Sequence, residues 1–361
     1  MRATRGRVAH VESLAEFDRR LAAGATTLSG WRVYAVDLTG RTADLERCRV
    51  AGAAFLGCTF ADGVAAEVVA AGGLLLPPVQ GTPVDVRRTS LYTADELYDD
   101  AAYPRSLDAR AYAWDQEPVH SDEATLARAL HDHAIDEALA AWTSGRDLVG
   151  VMGGHGARRG DPEYADAARL GRLLADGHVV ATGGGPGAME AANLGAWLAR
   201  RGAGDLDEAL AMLSEVPSFE PSVQDWAAAA RAVRDRFPDG AESLGIPTWH
   251  YGHEPPNLFA TAIAKYFHNA AREAILLQVC GAGIVFLPGA AGTVQEVFQD
   301  ACENYYADES SVAPMVLVGT GYWTEELPVW PLLRALAKGH RMESRVHLVD
   351  TVEEAAALVG S

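Results

Sequence analysis

Apolar runs and helical stretches alternate along the chain from about Asp147 onward. Short apolar or β-branched runs predict strands, and apolar positions every three or four residues predict the helices between them. The predicted strands are Leu148–Met152, His178–Thr182, Gly245–Trp249, Gly283–Leu287, Pro314–Val318 and Arg345–Val349. The predicted helices include Pro162–Asp176, Ala188–Arg200, Leu258–Val279, Thr293–Asn304 and Val352–Val359. This alternation predicts an α/β fold with a Rossmann-like, doubly wound parallel sheet over residues 146–361.

The pattern divides the remainder of the chain into three parts. Residues 203–243 are rich in alanine and acidic residues with helical spacing, which predicts a helical insertion beside the sheet. Residues 93–145 read as a helical connector, and residues 1–92 as a small N-terminal domain. Short runs between Leu28 and Phe60 allow either one or two coils of a β-solenoid or an ordinary small α/β domain. The sequence offers no catalytic constellation in this half, so a regulatory or oligomerisation role is the default expectation.

Composition narrows the classes of partner and compartment. The 361 residues carry a formal net charge of −19, with a pI of about 4.9, which argues against binding to nucleic acid or to an anionic membrane. No apolar run approaches the roughly 18 residues of a membrane span, and the N-terminus lacks the apolar core of a signal peptide. The four cysteines have no metal-site spacing and read as reduced thiols. We therefore expect a cytoplasmic protein.

Glycine-rich turns follow three of the predicted strands. They are Gly153-Gly154-His155-Gly156, the run Gly183-Gly184-Gly185-Pro186-Gly187, and Pro288-Gly289-Ala290-Ala291-Gly292-Thr293. Three successive glycines after a strand usually mark close approach of the backbone to a ligand. The dinucleotide-binding Gly-x-Gly-x-x-Gly spacing is not cleanly present. Together the turns predict a phosphorylated ligand at the carboxyl edge of the sheet.

The third turn adds a candidate catalytic carboxylate. Its backbone N–H groups and the start of the following helix favour an anion. Glu296 lies three residues after Thr293, so both share one face of that helix. A carboxylate close to a bound phosphate is electrostatically unfavourable unless it acts on the sugar beside that phosphate. The alternative is a tight turn with an exposed glutamate.

Two of these motifs together resemble those of the LOG ("Lonely Guy") family, long mislabelled as lysine decarboxylases. They are Gly183 to Glu190 and Pro288 to Glu296. The chain most resembles the larger bacterial nucleotide 5′-monophosphate nucleosidases, which share the Glu254-Pro-Pro-Asn257 segment. The resemblance spans roughly 146–359 and implies hydrolysis of nucleoside 5′-monophosphates to free base and ribose 5-phosphate. It implies no cofactor and no metal, and a homodimer or a dimer of dimers.

The resemblance also implies roles for individual residues. Glu296 and Arg272 would be catalytic, with Arg272 orienting Glu296 and binding substrate. The phosphate would lie on Gly289–Thr293, and the first two turns would line the opposite wall. Residues implied in substrate or phosphate binding are Gly153, Gly154, Gly183, Gly184, Gly185, Gly187, Met189, Glu190, Asn257, Pro288, Gly289, Ala290, Ala291, Gly292 and Thr293.

Three departures from the family pattern concern substrate preference. Ala290 stands where relatives usually have a second glycine, the first turn reads Gly-Gly-His, and Glu273 replaces a common lysine. The runner-up is a non-catalytic sensor or carrier of a nucleotide or phosphorylated cofactor, because similar loops serve binding alone. Lys265 and Lys338, the chain's two lysines, do not follow a phosphate loop, which gives no support to a pyridoxal-phosphate decarboxylase.

Histidine and aromatic clusters have competing interpretations. His131 and His133 lie two apart in a helical stretch and face different sides, which disfavours a shared metal. His250 and His253 are expected to form hydrogen bonds rather than bind metal. Trp249 and Tyr251 allow either stacking on a base or packing in the core, and core packing is slightly favoured.

Overall fold

The computed structural model describes residues 8–117, 121–250 and 254–359. It divides the chain into two compact units, with the boundary between Thr82 and Pro83. The sequence pattern places this boundary at residue 92. The helices expected to form a connector over 93–145 lie within the second unit. In the described parts, no helix combines the length and apolar character needed to cross a membrane.

The first unit is a series of parallel strands with a helix after each of the first three. Strands β1 to β4 begin at Ala9, Trp31, Ala54 and Leu74, so the repeat is about 20 residues long, and each strand pairs with the next. Their bounds are Ala9–Val11, Trp31–Tyr34, Ala54–Leu56 and Leu74–Leu76, and helices α1 to α3 span Leu14–Ala22, Thr42–Arg47 and Val64–Ala70. One face of the sheet packs against all three helices. Each of the first three strands is followed by a helix, so the unit is a small α/β domain with a regular repeat and not a β-solenoid.

Over its described residues, the second unit contains a seven-stranded parallel sheet and eleven α-helices. The strands β5 to β11 are Leu148–Met152, Val179–Thr182, Ser243–Gly245, Ala262–Ile263, Ile284–Phe286, Met315–Val318 and Val346–Val349. Helices α4 to α9 are Ala94–Leu97, Leu107–Asp115, Asp122–Thr143, Pro162–Leu174, Ala188–Trp197 and Ala203–Ser214. Helices α10 to α14 are Val223–Arg236, Asn269–Gln278, Ala291–Tyr306, Val329–Ala337 and Val352–Leu358. Short 3₁₀ turns span Tyr103–Arg105 and Arg341–Arg345, and a π-helical turn spans Tyr322–Glu326.

The strand order confirms the predicted Rossmann-like fold. The order is β11-β10-β9-β5-β6-β7-β8, and every neighbouring pair is parallel. The chain builds outward from β5 in one direction and then returns to its other side at β9. Ligands of doubly wound sheets bind outside the carboxyl ends of the strands at such a switch point. The turns after β5, β6 and β9 are the glycine-rich turns of the sequence.

Close packing of α7 on α8 fixes two of those turns relative to each other. A Cβ added to Gly171 would lie 2.0 Å from the carbonyl oxygen of Ala192, and one added to Gly195 would lie 1.9 Å from that of Ala168. Only glycine permits this approach from both sides. The two helices follow the turns after β5 and β6, so their contact sets the spacing of those turns.

Two predicted elements differ from the structure. The strand expected at Gly245–Trp249 is Ser243–Gly245, and the helix expected over Leu258–Val279 begins only at Asn269. Residues 258–267 instead cross the core in extended form, and β8 pairs with β7 there. Asp132 accepts hydrogen bonds from the backbone N–H groups of Phe267 and His268, which end the extended segment. A wholly buried apolar run has no periodicity to distinguish strand from helix.

Candidate active site

A cleft of about 1220 Å³ opens at the switch point of the second sheet. Its floor includes the turns after β5, β6 and β9, and the first two turns of α12 form one wall. The described residues that line it include most of those predicted from the sequence, namely Gly153, Gly154, Gly183, Gly185, Met189, Arg272, Pro288, Gly289, Ala290, Ala291, Gly292, Thr293 and Glu296. The structure therefore brings the three turns and both candidate catalytic residues into one site.

The turn from Pro288 to Thr293 presents an uncapped helix start to the cleft. No side chain caps the N-terminus of α12. The carbonyl oxygen of Gly289 accepts a hydrogen bond from the Tyr322 hydroxyl at 3.0 Å, and the Pro288 carbonyl accepts one from Gly154 N–H at 3.2 Å. These contacts hold the turn while the first N–H groups of α12 face the cleft, an arrangement that suits an anion.

The backbone of Ala290 does not have a positive φ. Its φ is −86°, outside the left-handed region that favours glycine, and its ψ is −143°. The alanine at this position therefore carries no conformational cost of the kind that positive φ would impose. The departure from the usual glycine adds a methyl group to the surface of the turn.

Glu296 and Arg272 form a partly buried pair beside this turn. Their nearest atoms, Arg272 Nη1 and Glu296 Oε1, lie 3.6 Å apart, and their side chains are 11% and 14% exposed. Burial raises the pKa of Glu296 to about 7, an effect that Arg272 opposes and Glu273 reinforces. A carboxyl group with a pKa near neutrality is suited to gain and lose a proton during a reaction.

A network of polar side chains on α11 and α12 orients this pair. Asn269 accepts a hydrogen bond from Arg272 Nη2 at 3.2 Å and donates one to Glu273 at 2.7 Å. Glu273 also accepts one from Gln295 at 2.6 Å, which links the two helices. Arg272 Nε is buried and has no hydrogen-bond partner within the described parts of the chain. A buried N–H without a partner is a donor available to a ligand.

The turn after β6 depends on glycine for its shape. Gly184 and Gly187 both have φ of +73°, and a Cβ on Gly187 would lie 2.7 Å from the carbonyl oxygen of Gly154. The turns after β5 and β6 are therefore in direct backbone contact. Met189 packs against Gly183 and Gly185, with its sulfur 2.7 Å from the position of a Cβ on Gly183. The thioether thus occupies the space that side chains on this turn would need.

Several residues predicted to bind substrate face away from the cleft. Gly184 and Gly187 shape the turn but do not line the cavity. Asn257 is fully buried, and its amide bonds to Gly185, Asn193 and the N–H groups of Phe259 and Ala260. Glu190 is also buried and forms a two-point ion pair with Arg159. These contacts give Asn257 and Glu190 a role in supporting the loops.

Other cleft residues carry polar groups to which the sequence pattern assigned no role. Among them are His155, Glu254 and Tyr322. His155 and Glu254 are paired, with His155 Nδ1 3.3 Å from Glu254 Oε1. Their positions within the Gly-Gly-His turn and the Glu-Pro-Pro-Asn segment were the available signal. Tyr322 lies after β10, and no motif in the sequence marks it.

The other polar clusters serve the interior of the second unit. His131 is buried and bonds to the Tyr92 hydroxyl, whereas the His133 side chain is more than half exposed. Trp249 stacks on Phe267 and donates to Asp108, so the core-packing interpretation holds for it. Tyr251 and His253 lie outside the described residues. In the parts that are described, no three His, Cys, Asp or Glu side chains gather as a metal site.

One family model and several solved structures are similar to parts of the chain. Residues 146–203 match the model of the SLOG cluster4 family. This confirms the resemblance to LOG proteins at the level of the SLOG superfamily, which includes them. The match includes the turns after β5 and β6 and ends before β9 and α12. A search of curated proteins finds no match.

Several solved structures are similar to 59% of the chain. One is the molybdenum cofactor binding protein from Rippkaea orientalis, with 19% identity and a TM-score of 0.37 over 59% of this chain and 94% of that protein. The molybdenum cofactor carrier protein from Chlamydomonas reinhardtii gives the same values. TM1055 has 22% identity and a TM-score of 0.38 over 59% of this chain and 97% of its own. Identities and TM-scores this low assign no ligand to this chain.

Proposed function

We propose that this protein hydrolyses the N-glycosidic bond of nucleoside 5′-monophosphates such as AMP. The observation that carries the proposal is the Glu296–Arg272 pair beside the uncapped start of α12. This arrangement offers an anion site and a carboxylate within one cleft. The reaction needs both, because the phosphate anchors the substrate while the carboxylate acts on the ribose.

The geometry supports a division of roles during bond cleavage. The 5′-phosphate rests on the N–H groups at the start of α12 and on the Thr293 hydroxyl. The C1′–N bond breaks with its electron pair passing to the base, which takes up a proton. The oxygen of water then bonds to C1′ and releases its proton to the Glu296 carboxylate. The negative charge of Glu296 also stabilises the oxocarbenium-like transition state.

Arg272 has two functions in this scheme. It stays within 3.6 Å of Glu296, which favours the ionised carboxylate that the reaction needs. Its Nε–H also has no partner among the described residues and remains available to a ligand oxygen. We also keep the expected cytoplasmic location and the expected homo-oligomer as parts of the proposal.

The alternative is a carrier or sensor that binds a nucleotide or phosphorylated cofactor without turnover. A panel of purine and pyrimidine monophosphates separates the two functions, with the free base measured by chromatography. We expect release of base and ribose 5-phosphate from at least one monophosphate, and much slower release from the matching nucleoside. Binding without any release of base would favour the carrier. Equal cleavage of adenosine and AMP would contradict the placement of the phosphate.

A further inference from the structure

The β6–β7 side of the cleft ends in a carboxylate that the hydrolytic step leaves unused. Glu254 lines the cleft together with Pro247 and Thr248, which follow β7. Its side chain is 34% exposed, and His155 holds one of its two oxygens from across the cleft floor. His155 follows β5, next to the phosphate turn after β9, whereas Glu254 follows β7, three strands away from β9.

The second oxygen of Glu254 is directed toward the turn after β6. Oε2 lies 3.5 Å from the position that a Cβ on Gly185 would take. No hydrogen bond to Oε2 is found among the described residues. Met189 Cε lies 3.0 Å from the same position, so its thioether borders this oxygen, and both side chains line the cleft there. His155 Nδ1 holds Oε1 at 3.3 Å, which leaves Oε2 as the acceptor for a ligand.

The position of Glu254 relative to Arg272 matches the direction in which a base would project. Arg272 Nη1 lies 3.6 Å from the Cβ position of Gly183, two residues before Gly185. Two residues span at most about 7 Å of chain. With the phosphate near β9 and the ribose at Glu296 and Arg272, the base extends past Gly183 toward Gly185 and Glu254.

We propose that Glu254, positioned by His155, selects bases that carry an exocyclic amino group. This inference rests on the proposed function and names the substrates within it. An ionised carboxylate only accepts hydrogen bonds, so the amino groups of adenine and cytosine are suitable partners. A carbonyl oxygen in the same place, as in hypoxanthine or uracil, faces the carboxylate lone pairs and leaves Glu254 unpaired. Sites built to bond a substrate N–H discriminate strongly against analogues that lack it.

The matched pairs AMP with IMP and CMP with UMP test this selection. We expect wild type to favour the amino member of at least one pair by about tenfold or more in kcat/KM. This discrimination is smaller than that of a site closed to water, because Glu254 is partly exposed. Glu254→Gln should reduce the preference to about threefold or less, because its amide both donates and accepts. His155→Ala, at a largely exposed position, should also reduce the preference while the fold is kept.

Glu353→Gln is the matched control, because Glu353 lines the cleft four strands away from β6. It should keep the wild-type preference. Calorimetric binding of AMP and IMP to Glu296→Gln separates this inference from the proposed function. If Glu296→Gln binds AMP more tightly than IMP while wild type hydrolyses neither, the base selection is retained and the hydrolase function is rejected. Hydrolysis without preference in either pair, or an unchanged preference in Glu254→Gln, would overturn the selection. Failure to bind any monophosphate would overturn both.

Discussion

Glu296 is subject to opposing electrostatic effects within a few ångströms. Burial and Glu273 raise its pKa, and the net value of about 7 holds despite Arg272 at 3.6 Å. We expect Glu296→Gln to lower base release by at least about a hundredfold, the usual scale for such a group, while nucleotide binding is retained. Steady-state rates and calorimetric binding measure the two effects. Near-normal turnover would remove Glu296 from the mechanism.

Two comparisons strengthen this test. Glu303→Gln makes the same change on α12 outside the cleft and should leave turnover near wild type. Wild-type activity that needs ionised Glu296 should fall as the pH drops through about 7, because protonation removes the charge. A wild-type rate that stays flat from pH 5 to 8 would contradict this role.

Individual side chains were predictable where their partners lie nearby in sequence. Thr293 and Glu296 share a helix face at three-residue spacing, and the structure places both in the cleft. Asn257 and Glu190 were assigned to substrate because their motifs match the family. Their partners, Asn193 and Arg159, are 64 and 31 residues away. No local pattern shows such contacts, so the supporting role of these two residues could not be foreseen.

At the scale of elements, the turn before α12 offers a test of phosphate binding. A Cβ on Gly292 meets no atom within 4 Å, whereas one on Gly289 would lie 2.2 Å from Thr293 Oγ1 and 3.0 Å from Gly154 N. Gly292→Leu should therefore fill the anion site and abolish monophosphate binding with little change in Tm. Gly289→Ala should lower Tm, because the crowded turn must shift. Calorimetry and thermal unfolding measure the outcomes, and normal AMP binding by Gly292→Leu would refute the site.

Helix α12 also carries a buried acid one turn after Glu296. Burial, reinforced by Glu303, raises the pKa of Asp300 to about 8, and its Oδ2 has no hydrogen-bond partner among the described residues. The ordinary value is 3.8, so the folded protein binds this proton more tightly than the unfolded chain. The resulting stability is fully present below about pH 4 and is lost as the pH rises toward 8.

Asp300→Asn removes this titration. Between pH 5 and 8 we expect the free energy of unfolding of wild type to fall relative to Asp300→Asn by roughly 1 kcal/mol per pH unit. Urea unfolding of both proteins across this range gives the difference, in which the contribution of Glu296 cancels. Parallel pH curves would mean that Asp300 does not keep its proton in the folded state.

Elements were predictable where flanking turns and length distinguish strand from helix. The strand Leu148–Met152 agrees with the sequence pattern, and the long helix α7 begins where predicted, at Pro162. The structure of segment 258–268 was not predicted from the sequence. Its apolar residues are buried on all sides, and its direction is set by Asp132, more than a hundred residues earlier. The repeat of the first unit was visible only faintly, since each strand there has three or four residues.

At the scale of the whole molecule, the shorter α11 changes the argument for assembly. Residues 274–279, after Arg272, form an almost continuous apolar run, which is too apolar for a helix buried on one side only. Leu276 and Leu277 are buried within the second unit itself, whereas Ile275 and Val279 remain only partly buried. These two residues are four apart, so they share one helix face. A surface of this kind is the part of α11 available to an isologous partner.

We expect wild type to be a homodimer or a dimer of dimers by light scattering at micromolar concentration. Ile275→Gln should lower the measured mass, because a polar side chain weakens an apolar contact between subunits. If the partner completes the site, base release per chain should fall together with the fraction of chains that remain associated. Gln278→Glu, a polar-for-polar change at an exposed position of α11, serves as control and should leave both unchanged. A monomeric wild type would show that the cleft of a single chain is the whole site.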